Sequence, residues 1–250
     1  MTHTPRLVLV TGTSSGIGAR LAETLAIGGW TVIGVARRAA PFEHKRYRHH
    51  RFDLGDLDAL APFVEDTLRD HLTDPRWERV GLVNNAGSPG KLQGLEQSNP
   101  SELASVFSVN AIAPTYLMAA LARLVPAEVA LRIVNVSSGA GVRGFPGLGD
   151  YGSSKAALRL ATMVLAAELD SDERPGGRRH NFGILSYSPG PVDTEMQALA
   201  RSPGQAMPWS RMFHEFAAAG RLLQPSQVTP PIVEFLSADE VAPFDERRYG

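Results

Sequence analysis

Short runs of β-branched and aliphatic residues recur along the chain, separated by longer segments in which apolar residues repeat every three or four positions. Because these two periods belong to strands and helices, the pattern predicts βα units around a parallel sheet. The predicted strands are Leu7–Thr11, Thr31–Ala36, His50–Asp53, Val80–Asn84, Arg132–Ser137 and Phe182–Tyr187. The predicted helices are Ile17–Ile27, Leu57–Arg69, Leu103–Leu124, Tyr151–Leu169 and Gln227–Leu236. Successive apolar positions within the strands indicate that helices cover both faces of the sheet.

The predicted domain organisation follows from the length and from the lack of internal boundaries. The 250 residues contain no internal repeat, low-complexity tract or Gly/Ser-rich linker, and a single α/β core commonly reaches this length. We therefore expect residues 1–250 to form one domain. The segment at about 195–225 is irregular and rich in proline and apolar residues, so we interpret it as a lid over a substrate pocket.

Charge and composition narrow the range of partners. The 25 Lys and Arg residues nearly balance the 26 Asp and Glu residues, and a net charge of −1 provides no general surface for nucleic acid. The absence of cysteine excludes disulfides, a thiolate nucleophile and cysteine-ligated metals. The basic segment 38–51 contains adjacent histidines without metal-binding spacing, and we interpret it as a solvated loop. Neither a metal nor a nucleic-acid partner is predicted.

No export signal or membrane span is expected. The first ten residues lack the basic segment, apolar run and cleavage site of a signal peptide and are interpreted as the start of the first strand. The longest apolar runs are expected to be interrupted by charges before the roughly 20 residues that span a bilayer. We therefore expect a soluble, cytoplasmic protein without a membrane partner.

A glycine-rich motif lies between the first strand and the first helix. Residues 11–18 read Thr-Gly-Thr-Ser-Ser-Gly-Ile-Gly, which gives the spacing G-x-x-x-G-x-G. Such glycines let the backbone approach a pyrophosphate, and the helix N-terminus supplies free N–H groups with a partial positive charge. The motif predicts a dinucleotide site, although the glycines alone also fit an ordinary tight turn. The predicted contacts are Gly12, Ser14, Ser15, Gly16, Ile17 and Gly18.

Two further polar positions follow predicted strands. The Asn-Asn-Ala-Gly sequence at 84–87 places small residues at a strand end, where open parallel sheets bind ligands and a ribose could lie. Asp53 could accept a hydrogen bond from an adenine amine. Each feature has a structural alternative, a polar turn for the first and a helix cap for the second. The predicted cofactor contacts here are Asp53, Leu54, Asn85, Ala86 and Gly87.

Ser138, Tyr151 and Lys155 form the third constellation. A tyrosine and a lysine four positions apart lie on the same face of a helix, so the ammonium can stabilise the phenolate. A phenol has a pKa of ~10, and a nearby cation lowers it and makes the hydroxyl usable as a general acid or base. Ser138 could hold a substrate oxygen against that phenol. Surface helices also contain Tyr-x-x-x-Lys pairs, so the assignment depends on the other motifs.

Taken in order, these motifs resemble those of the short-chain dehydrogenase/reductase family over nearly the whole chain, from Arg6 to about Leu236. The resemblance is greatest to the sepiapterin reductase and benzil reductase branch. It implies an α/β fold, a single-domain Rossmann-type doubly wound parallel sheet with helices on both faces. The stretches that carry it are 11–18, 84–87, Asn110, 132–141, 151–155, 189–201 and 216–225.

The resemblance also implies roles for individual residues. Tyr151 would exchange a proton with the substrate oxygen, and Lys155 would lower its pKa and bind the nicotinamide ribose. Ser138 would position the carbonyl, and Asn110 would support a proton relay. The nicotinamide end of the cofactor is expected along Pro189, Gly190, Val192 and Thr194.

The charges at the end of the second strand indicate which of the two nicotinamide coenzymes is preferred. NAD-preferring sites usually end this strand in an acid that accepts from the ribose hydroxyls, whereas here Arg37 and Arg38 follow the strand. Two guanidiniums suit the 2′-phosphate of NADP(H). We predict NADPH over NADH, with Arg37 as the principal contact and Arg38 as the second. The alternative is a solvated pair of arginines.

Apolar side chains after the fifth and sixth strands favour a bulky uncharged carbonyl substrate, such as an aromatic diketone, but they could also pack the loops down. One alternative is pterin reduction, for which Asp193 or Glu195 would bind ring nitrogens. An alternative of another class is a catalytically silent NADP(H)-binding redox sensor. The predicted substrate pocket consists of Phe145, Leu148, Met196, Trp209, Met212 and Phe213.

The C-terminal sequence bears on the oligomeric state. The family's usual glycine-rich ending is replaced by Phe-Asp-Glu-Arg-Arg-Tyr-Gly at 244–250. This departure puts in doubt the tetramer contacts that the family's seventh strand helps to build. We expect a homodimer through the helices that begin near Leu103 and Tyr151, with a tetramer as the alternative.

Overall fold

Seven strands form a parallel sheet in the computed structural model, which describes residues 5–202 and 210–249. The strands are β1 (Arg6–Thr11), β2 (Thr31–Ala36), β3 (Tyr47–Arg51), β4 (Arg79–Asn84), β5 (Ala130–Val136), β6 (Phe182–Ser188) and β7 (Phe244–Arg248). They follow the order β3-β2-β1-β4-β5-β6-β7 across the sheet. Every neighbouring pair is parallel.

Helices connect the strands and flank the sheet. Two pairs of them are continuous through a π-helical turn, α2 with α3 at Val64–Leu68 and α4 with α5 at Ser108–Ile112. The helices are α1 (Gly16–Ile27), α2 (Leu57–Phe63), α3 (Arg69–Leu72), α4 (Pro100–Phe107), α5 (Ala113–Leu124), α6 (Gly149–Asp170), α7 (Glu195–Ala200), α8 (Arg211–Ala218), α9 (Pro225–Val228) and α10 (Pro230–Ser237).

Hydrophobic side chains fill the space on both faces of the sheet. Because successive strand residues point to opposite faces, Leu7 and Leu9 of β1 pack in one cluster with α2, α5 and α6. Val8 and Val10 pack in a second cluster with α1 and α10. All four side chains are at most 1% exposed. This arrangement confirms the predicted doubly wound parallel sheet with helices on both faces.

The strand order reverses between β1 and β4, which are neighbours at the centre of the sheet. At such a point the connections leave in opposite directions and open a crevice at the carboxyl ends of the strands. Thr11 ties the two strand ends together, because its Oγ1 accepts hydrogen bonds of 3.0 Å from the N–H groups of Asn85 and Ala86. The glycine turn and the segment 84–87 therefore share one crevice.

The third strand differs from its prediction. It covers Tyr47–Arg51 instead of His50–Asp53, so part of the segment interpreted as a loop is an edge strand. Its residues are polar or basic and at least partly exposed, so they lack the apolar pattern that marks a strand. Tyr47 anchors it by packing over Gly34, where an added Cβ would lie 2.2 Å from Tyr47 Oη.

The seventh strand was missed by the sequence interpretation. β7 pairs in parallel with β6 at the edge of the sheet although four of its five residues are charged. Arg159 of α6 fixes the strand through hydrogen bonds of 2.9 and 2.8 Å to the two carboxylate oxygens of Glu246. Charged side chains suit an edge strand, because they discourage further pairing.

Prolines account for a second difference near the C-terminus. The single helix predicted over Gln227–Leu236 is two helices, α9 and α10, with a break at Thr229. Pro230 and Pro231 follow the break, and proline has no backbone N–H to continue a helical ladder. Helices α7 and α8, which were not predicted, lie within the segment interpreted as a lid.

The segment from α4 to α5 is long and apolar enough, by length and composition, to cross a membrane. The expectation that charges interrupt every such run was wrong, since residues 103–122 contain no charged side chain. Half of its apolar window is buried inside the protein, where Leu117 and Leu121 belong to the core. A core helix meets the same criterion, and the packing of this one against the sheet explains its composition.

Candidate active site

Glycines shape the turn between β1 and α1. Gly12 and Gly16 have φ angles of +74° and +56°, which residues with a Cβ rarely adopt. A Cβ on Gly18 would lie 2.3 Å from the backbone oxygen of Gly12, so α1 packs directly against the turn. These are the requirements of a turn whose backbone approaches a pyrophosphate, and the residues present fit a nicotinamide dinucleotide.

The start of α1 leaves its N–H groups available to an anion. Ser15 is the N-cap, but its side chain makes no capping hydrogen bond within the described chain, and no acid lies in the first turn. Ser14 and Ser15 are partly exposed. Ile17 differs from them, because its side chain is buried against Val192 and Val228 and holds the segment after β6 against α1.

The end of β4 is bound to the same turn. Asn85 Nδ2 donates to the backbone oxygens of Thr11 at 2.9 Å and Gly12 at 3.3 Å, so this side chain fixes the turn. Ala86 and Gly87 are partly exposed at the strand end. Thr11 makes the complementary contacts from β1 and was missed by the sequence interpretation. Its signal is a hydroxyl at the end of a buried strand, directly before a glycine turn.

Three of the four predicted catalytic residues lie together at the carboxyl end of β5, and these are Ser138, Tyr151 and Lys155. Tyr151 lies close enough to Ser138 for the serine hydroxyl to lower the pKa of its phenol. Lys155, one turn further along α6, has its Nζ 5.8 Å from the centre of the Tyr151 ring. Ser138 also begins a short 3-10 turn, in which its Oγ accepts a hydrogen bond of 3.2 Å from the N–H of Ala140.

Burial governs the protonation of this group. It raises the pKa of the Tyr151 phenol above its ordinary value, and the neighbouring Ser138 hydroxyl offsets only part of that rise. Burial also lowers the pKa of Lys155 to about 8, although Nζ donates to the backbone oxygen of Val136 at 2.8 Å. The prediction that the Tyr151 pKa is lowered was therefore wrong for this structure, because desolvation is the larger effect.

Asn110 connects three parts of the site from the π-helical turn between α4 and α5. It is fully buried. Its Oδ1 accepts from the N–H of Ser88 at 2.7 Å, while Nδ2 donates to the Ser88 backbone oxygen at 2.8 Å and to Ser154 Oγ at 3.0 Å. Asn110 thereby joins the loop after β4 to α6, one residue before Lys155.

Each arginine at the end of β2 faces an acid. Arg38 Nη2 lies 2.6 Å from Glu195 Oε2, and Arg37 Nη1 lies 3.9 Å from Asp53 Oδ2. The local positive charge expected from the sequence is therefore balanced within the protein. Leu54, also predicted as a cofactor contact, is 6% exposed with its side chain in the core, so only its backbone is available to a ligand.

The segment 189–194 packs against the glycine turn. Gly190 has a φ of +76°, and Val192 pairs with Leu223 in an isolated parallel bridge that holds the segment in place. A Cβ on Gly16 would lie 3.0 Å from Thr194 Cγ2. The structure thus places the predicted nicotinamide contacts beside the predicted pyrophosphate turn. These contacts are Pro189, Gly190, Val192 and Thr194.

The predicted substrate pocket is brought together only in part. Met196 reaches the catalytic centre, because a Cβ on Gly87 would lie 3.5 Å from Met196 Cε, 3.4 Å from Asn110 Oδ1 and 3.9 Å from Lys155 Nζ. Leu148 directly precedes α6 and pairs with Gln93 in an isolated bridge. The other predicted residues are Phe145, whose ring contacts Arg143, Met212 and Phe213, both partly buried on α8, and Trp209, which lies outside the described residues.

The acids considered for pterin recognition are both engaged in ion pairs. Asp193 Oδ1 lies 3.8 Å from Arg201 Nη2, and Glu195 contacts Arg38 at the cofactor side of the crevice. Elsewhere in residues 5–202 and 210–249, no group of three or more His, Asp or Glu side chains could hold a metal ion.

A glycine turn that fits a dinucleotide therefore lies at the sheet's reversal point, and the Ser138, Tyr151 and Lys155 group lies at the neighbouring end of β5. A protein-family model with the description short chain dehydrogenase matches residues 6–204 of this chain. The chain belongs to the short-chain dehydrogenase/reductase family. It is an oxidoreductase that acts on CH–OH or C=O groups, in a family that binds a nicotinamide cofactor.

Similar proteins come from bacteria and eukaryotes. The chain is 30% identical over 197 residues to a benzil reductase ((S)-benzoin forming) of Bacillus subtilis strain 168, with 78% of each chain covered. It is 29% identical over 251 residues to a sepiapterin reductase of Xenopus tropicalis, with 93% of this chain and 92% of the relative covered. A short-chain dehydrogenase/reductase structure from Saccharomyces cerevisiae, 24% identical, superposes with a TM-score of 0.78 over 96% of this chain and 95% of its own. The branch expected from the sequence is confirmed.

Proposed function

We propose that this protein is an NADPH-dependent carbonyl reductase that transfers a hydride to a ketone or diketone, with Tyr151 as the proton donor. The observation that carries the proposal is the grouping of Ser138, Tyr151 and Lys155 at the carboxyl end of β5, with Lys155 Nζ 5.8 Å from the centre of the Tyr151 ring and the glycine turn beside them. Because each step is reversible, the same site can oxidise the corresponding alcohol.

The residues around the crevice suit the parts of NADPH. The glycine turn and the N-terminus of α1 would hold the pyrophosphate, and the segment 189–194 would face the nicotinamide. Arg37 and Arg38 would bind the 2′-phosphate, because guanidinium groups form charge-assisted hydrogen bonds with phosphate oxygens. When bound, NADPH supplies the hydride that adds to the carbonyl carbon and is itself oxidised to NADP⁺.

The protein's own side chains bind the carbonyl oxygen and supply the proton. Ser138 and Tyr151 donate hydrogen bonds to that oxygen, orient the carbonyl and stabilise the negative charge that the C=O electron pair brings to it. Tyr151 then gives its proton to the oxygen and the alcohol forms. The raised pKa of the phenol keeps it protonated at neutral pH, as a proton donor requires. The Lys155 ammonium stabilises the resulting phenolate until a proton returns.

Two observations support a bulky uncharged carbonyl as the substrate. The contact of Met196 with Gly87 puts an apolar side chain at the catalytic centre, and such walls favour apolar ligands. The similarity to a benzil reductase points to the same class, because benzil is an aromatic diketone. The pterin alternative is less favoured, since Asp193 and Glu195 would each have to leave an ion pair with an arginine to bind ring nitrogens.

The test is NADPH consumption by the purified protein with benzil, sepiapterin, a quinone and a sugar ketone. We expect turnover with the diketone. Tyr151→Phe should lower kcat by about 10²- to 10⁴-fold, the usual contribution of a general acid, while NADPH affinity measured by calorimetry stays unchanged. Tyr116→Phe is the matched control, because it removes the hydroxyl of a partly buried tyrosine on α5.

Unchanged turnover in Tyr151→Phe would contradict the assignment of the proton donor. NADPH binding without turnover of any of the four carbonyl classes would instead favour the cofactor-binding sensor over the reductase.

A further inference from the structure

The two arginines at the end of β2 are neutralised by acids from distant parts of the chain. Asp53 follows β3, whereas Glu195 is the first residue of α7, 157 positions beyond Arg38. The Arg38–Glu195 contact of 2.6 Å is far shorter than the Arg37–Asp53 distance of 3.9 Å. The shorter of the two ion pairs therefore places the Glu195 carboxylate on Arg38, one of the two guanidiniums proposed to bind the 2′-phosphate.

The carboxylate and the phosphate would compete for the same cation. Arg38 can direct N–H donors to more than one acceptor, but a carboxylate and a phosphate dianion on one guanidinium repel each other. NADH carries no phosphate at this position, so its binding does not require Arg38 to leave Glu195. The competition therefore acts on NADPH alone.

The surroundings of Glu195 allow this exchange. The side chains of Arg38 and Glu195 are 65% and 61% exposed, so their ion pair is screened by water and weak. A cavity of about 780 Å³ borders Glu195, lined by Gly16, Arg20, Glu23, Thr194 and Glu195 among other residues. Glu195 therefore has space in which to turn away when a phosphate takes its place.

We propose that Glu195 is a specificity-determining residue that limits the preference for NADPH by competing with the 2′-phosphate for Arg38. The proposal rests on the proposed use of NADPH and refines it. Replacing Glu195 by glutamine keeps the shape of the side chain but removes its charge, so Arg38 becomes fully available to the phosphate. The Glu195→Gln protein should bind NADPH more tightly and NADH as before.

Binding measurements by calorimetry test this without depending on turnover. The ligands are NADPH and NADH, together with 2′,5′-ADP and 5′-AMP, which isolate the adenosine end with and without the phosphate. Glu195→Gln should tighten NADPH and 2′,5′-ADP by about two- to fivefold, the effect of an exposed ion pair, and leave NADH and 5′-AMP unchanged. In an Arg38→Ala background the same substitution should have no effect, because its partner is absent.

Asp193→Asn is the matched control. It removes one negative charge two positions away, from a carboxylate that lies near Arg201 instead of Arg38. We expect it to leave the ratio of NADPH to NADH affinity unchanged. An equal gain in both Glu195→Gln and Asp193→Asn would reflect general charge and overturn the specific competition.

The outcomes separate this proposal from the proposed function. If Arg37→Ala and Arg38→Ala weaken NADPH selectively while Glu195→Gln leaves the ratio unchanged or lowers it, the competition is wrong and the NADPH preference stands. If none of the three variants changes the ratio, the NADPH preference is contradicted as well.

Discussion

Lys155 is the residue whose charge the fold controls most directly. Its ammonium is buried, its pKa is lowered to about 8, and its Nζ hydrogen-bonds to the Val136 backbone oxygen. As the pH rises through about 8, the free enzyme loses the charge that stabilises the Tyr151 phenolate. We therefore expect kcat/KM for NADPH, measured at a saturating carbonyl concentration, to fall as the pH rises through this range.

A Lys155→Arg protein provides the comparison, because a guanidinium keeps its charge to a much higher pH. In that variant the decline in kcat/KM should move to higher pH even if the maximal rate is lower. A decline at the same pH in both proteins would assign the titration to another group.

The sequence identified Ser138, which follows a strand end, and Tyr151 and Lys155, which share one face of a helix. Both features are local, so they can be recognised without knowledge of the tertiary structure. The sequence did not identify Thr11 or the Arg38–Glu195 pair, since these contacts join residues 74 and 157 positions apart. Nor could it give the direction of the Tyr151 pKa, which depends on desolvation by residues from the whole fold.

At the scale of elements, a buried arginine joins β5 to the end of α10. Arg132 is fully buried. Its guanidinium donates to Asn181 Oδ1 at 3.1 Å and to the backbone oxygens of Ala238 at 3.1 Å and Asp239 at 2.9 Å. Arg132→Met should lower the free energy of unfolding by about 2–3 kcal/mol, because it removes the charged donor of several partly buried hydrogen bonds.

Denaturant unfolding followed by circular dichroism measures this loss. Arg76→Met is the control, since Arg76 is exposed and pairs locally with Asp74; a change within about 0.5 kcal/mol is expected there. Equal stability of the two variants would contradict the role given to Arg132.

The elements that the sequence predicted well are those with apolar faces, such as β1, β4 and β5 and the long helices. Of the two edge strands, β3 was predicted with shifted bounds and β7 was missed, because both are polar or charged and their pairing is specified by their neighbours. The packing of Tyr47 over Gly34 fixes the position of β3, and the ion pair between Glu246 and Arg159 fixes that of β7. Both contacts depend on tertiary structure.

At the scale of the whole molecule, α6 presents an apolar surface to solvent. Leu160, Met163 and Val164 are 62%, 37% and 47% exposed, and Ile112 at the junction of α4 and α5 is 47% exposed. Exposed apolar patches of this kind mark interfaces, which agrees with the homodimer expected from the sequence. We expect the protein to be dimeric in solution and Leu160→Asp with Val164→Asp to make it monomeric.

Light scattering coupled to size-exclusion chromatography measures the mass of each species. Ile27→Asp is the control, because Ile27 is 70% exposed at the end of α1, outside that surface, and this variant should remain dimeric. A wild-type protein that is monomeric at micromolar concentration would contradict the expectation.

The close packing of the glycine turn restricts which substitutions its glycines can accept. A methyl group at Gly12 would lie 2.8 Å from Asn85 Nδ2 and 2.9 Å from Ala86 Cα, and one at Gly18 would lie 2.3 Å from the Gly12 backbone oxygen. Gly139 and Gly144 have no atom within 4 Å of an added Cβ. Substitution is therefore sterically open at these two glycines of the loop after β5 and closed at the two glycines of the turn proposed to hold the cofactor. If the proposed function holds, the loop after β5 can diverge with far fewer compensating changes than the turn that would hold the coenzyme.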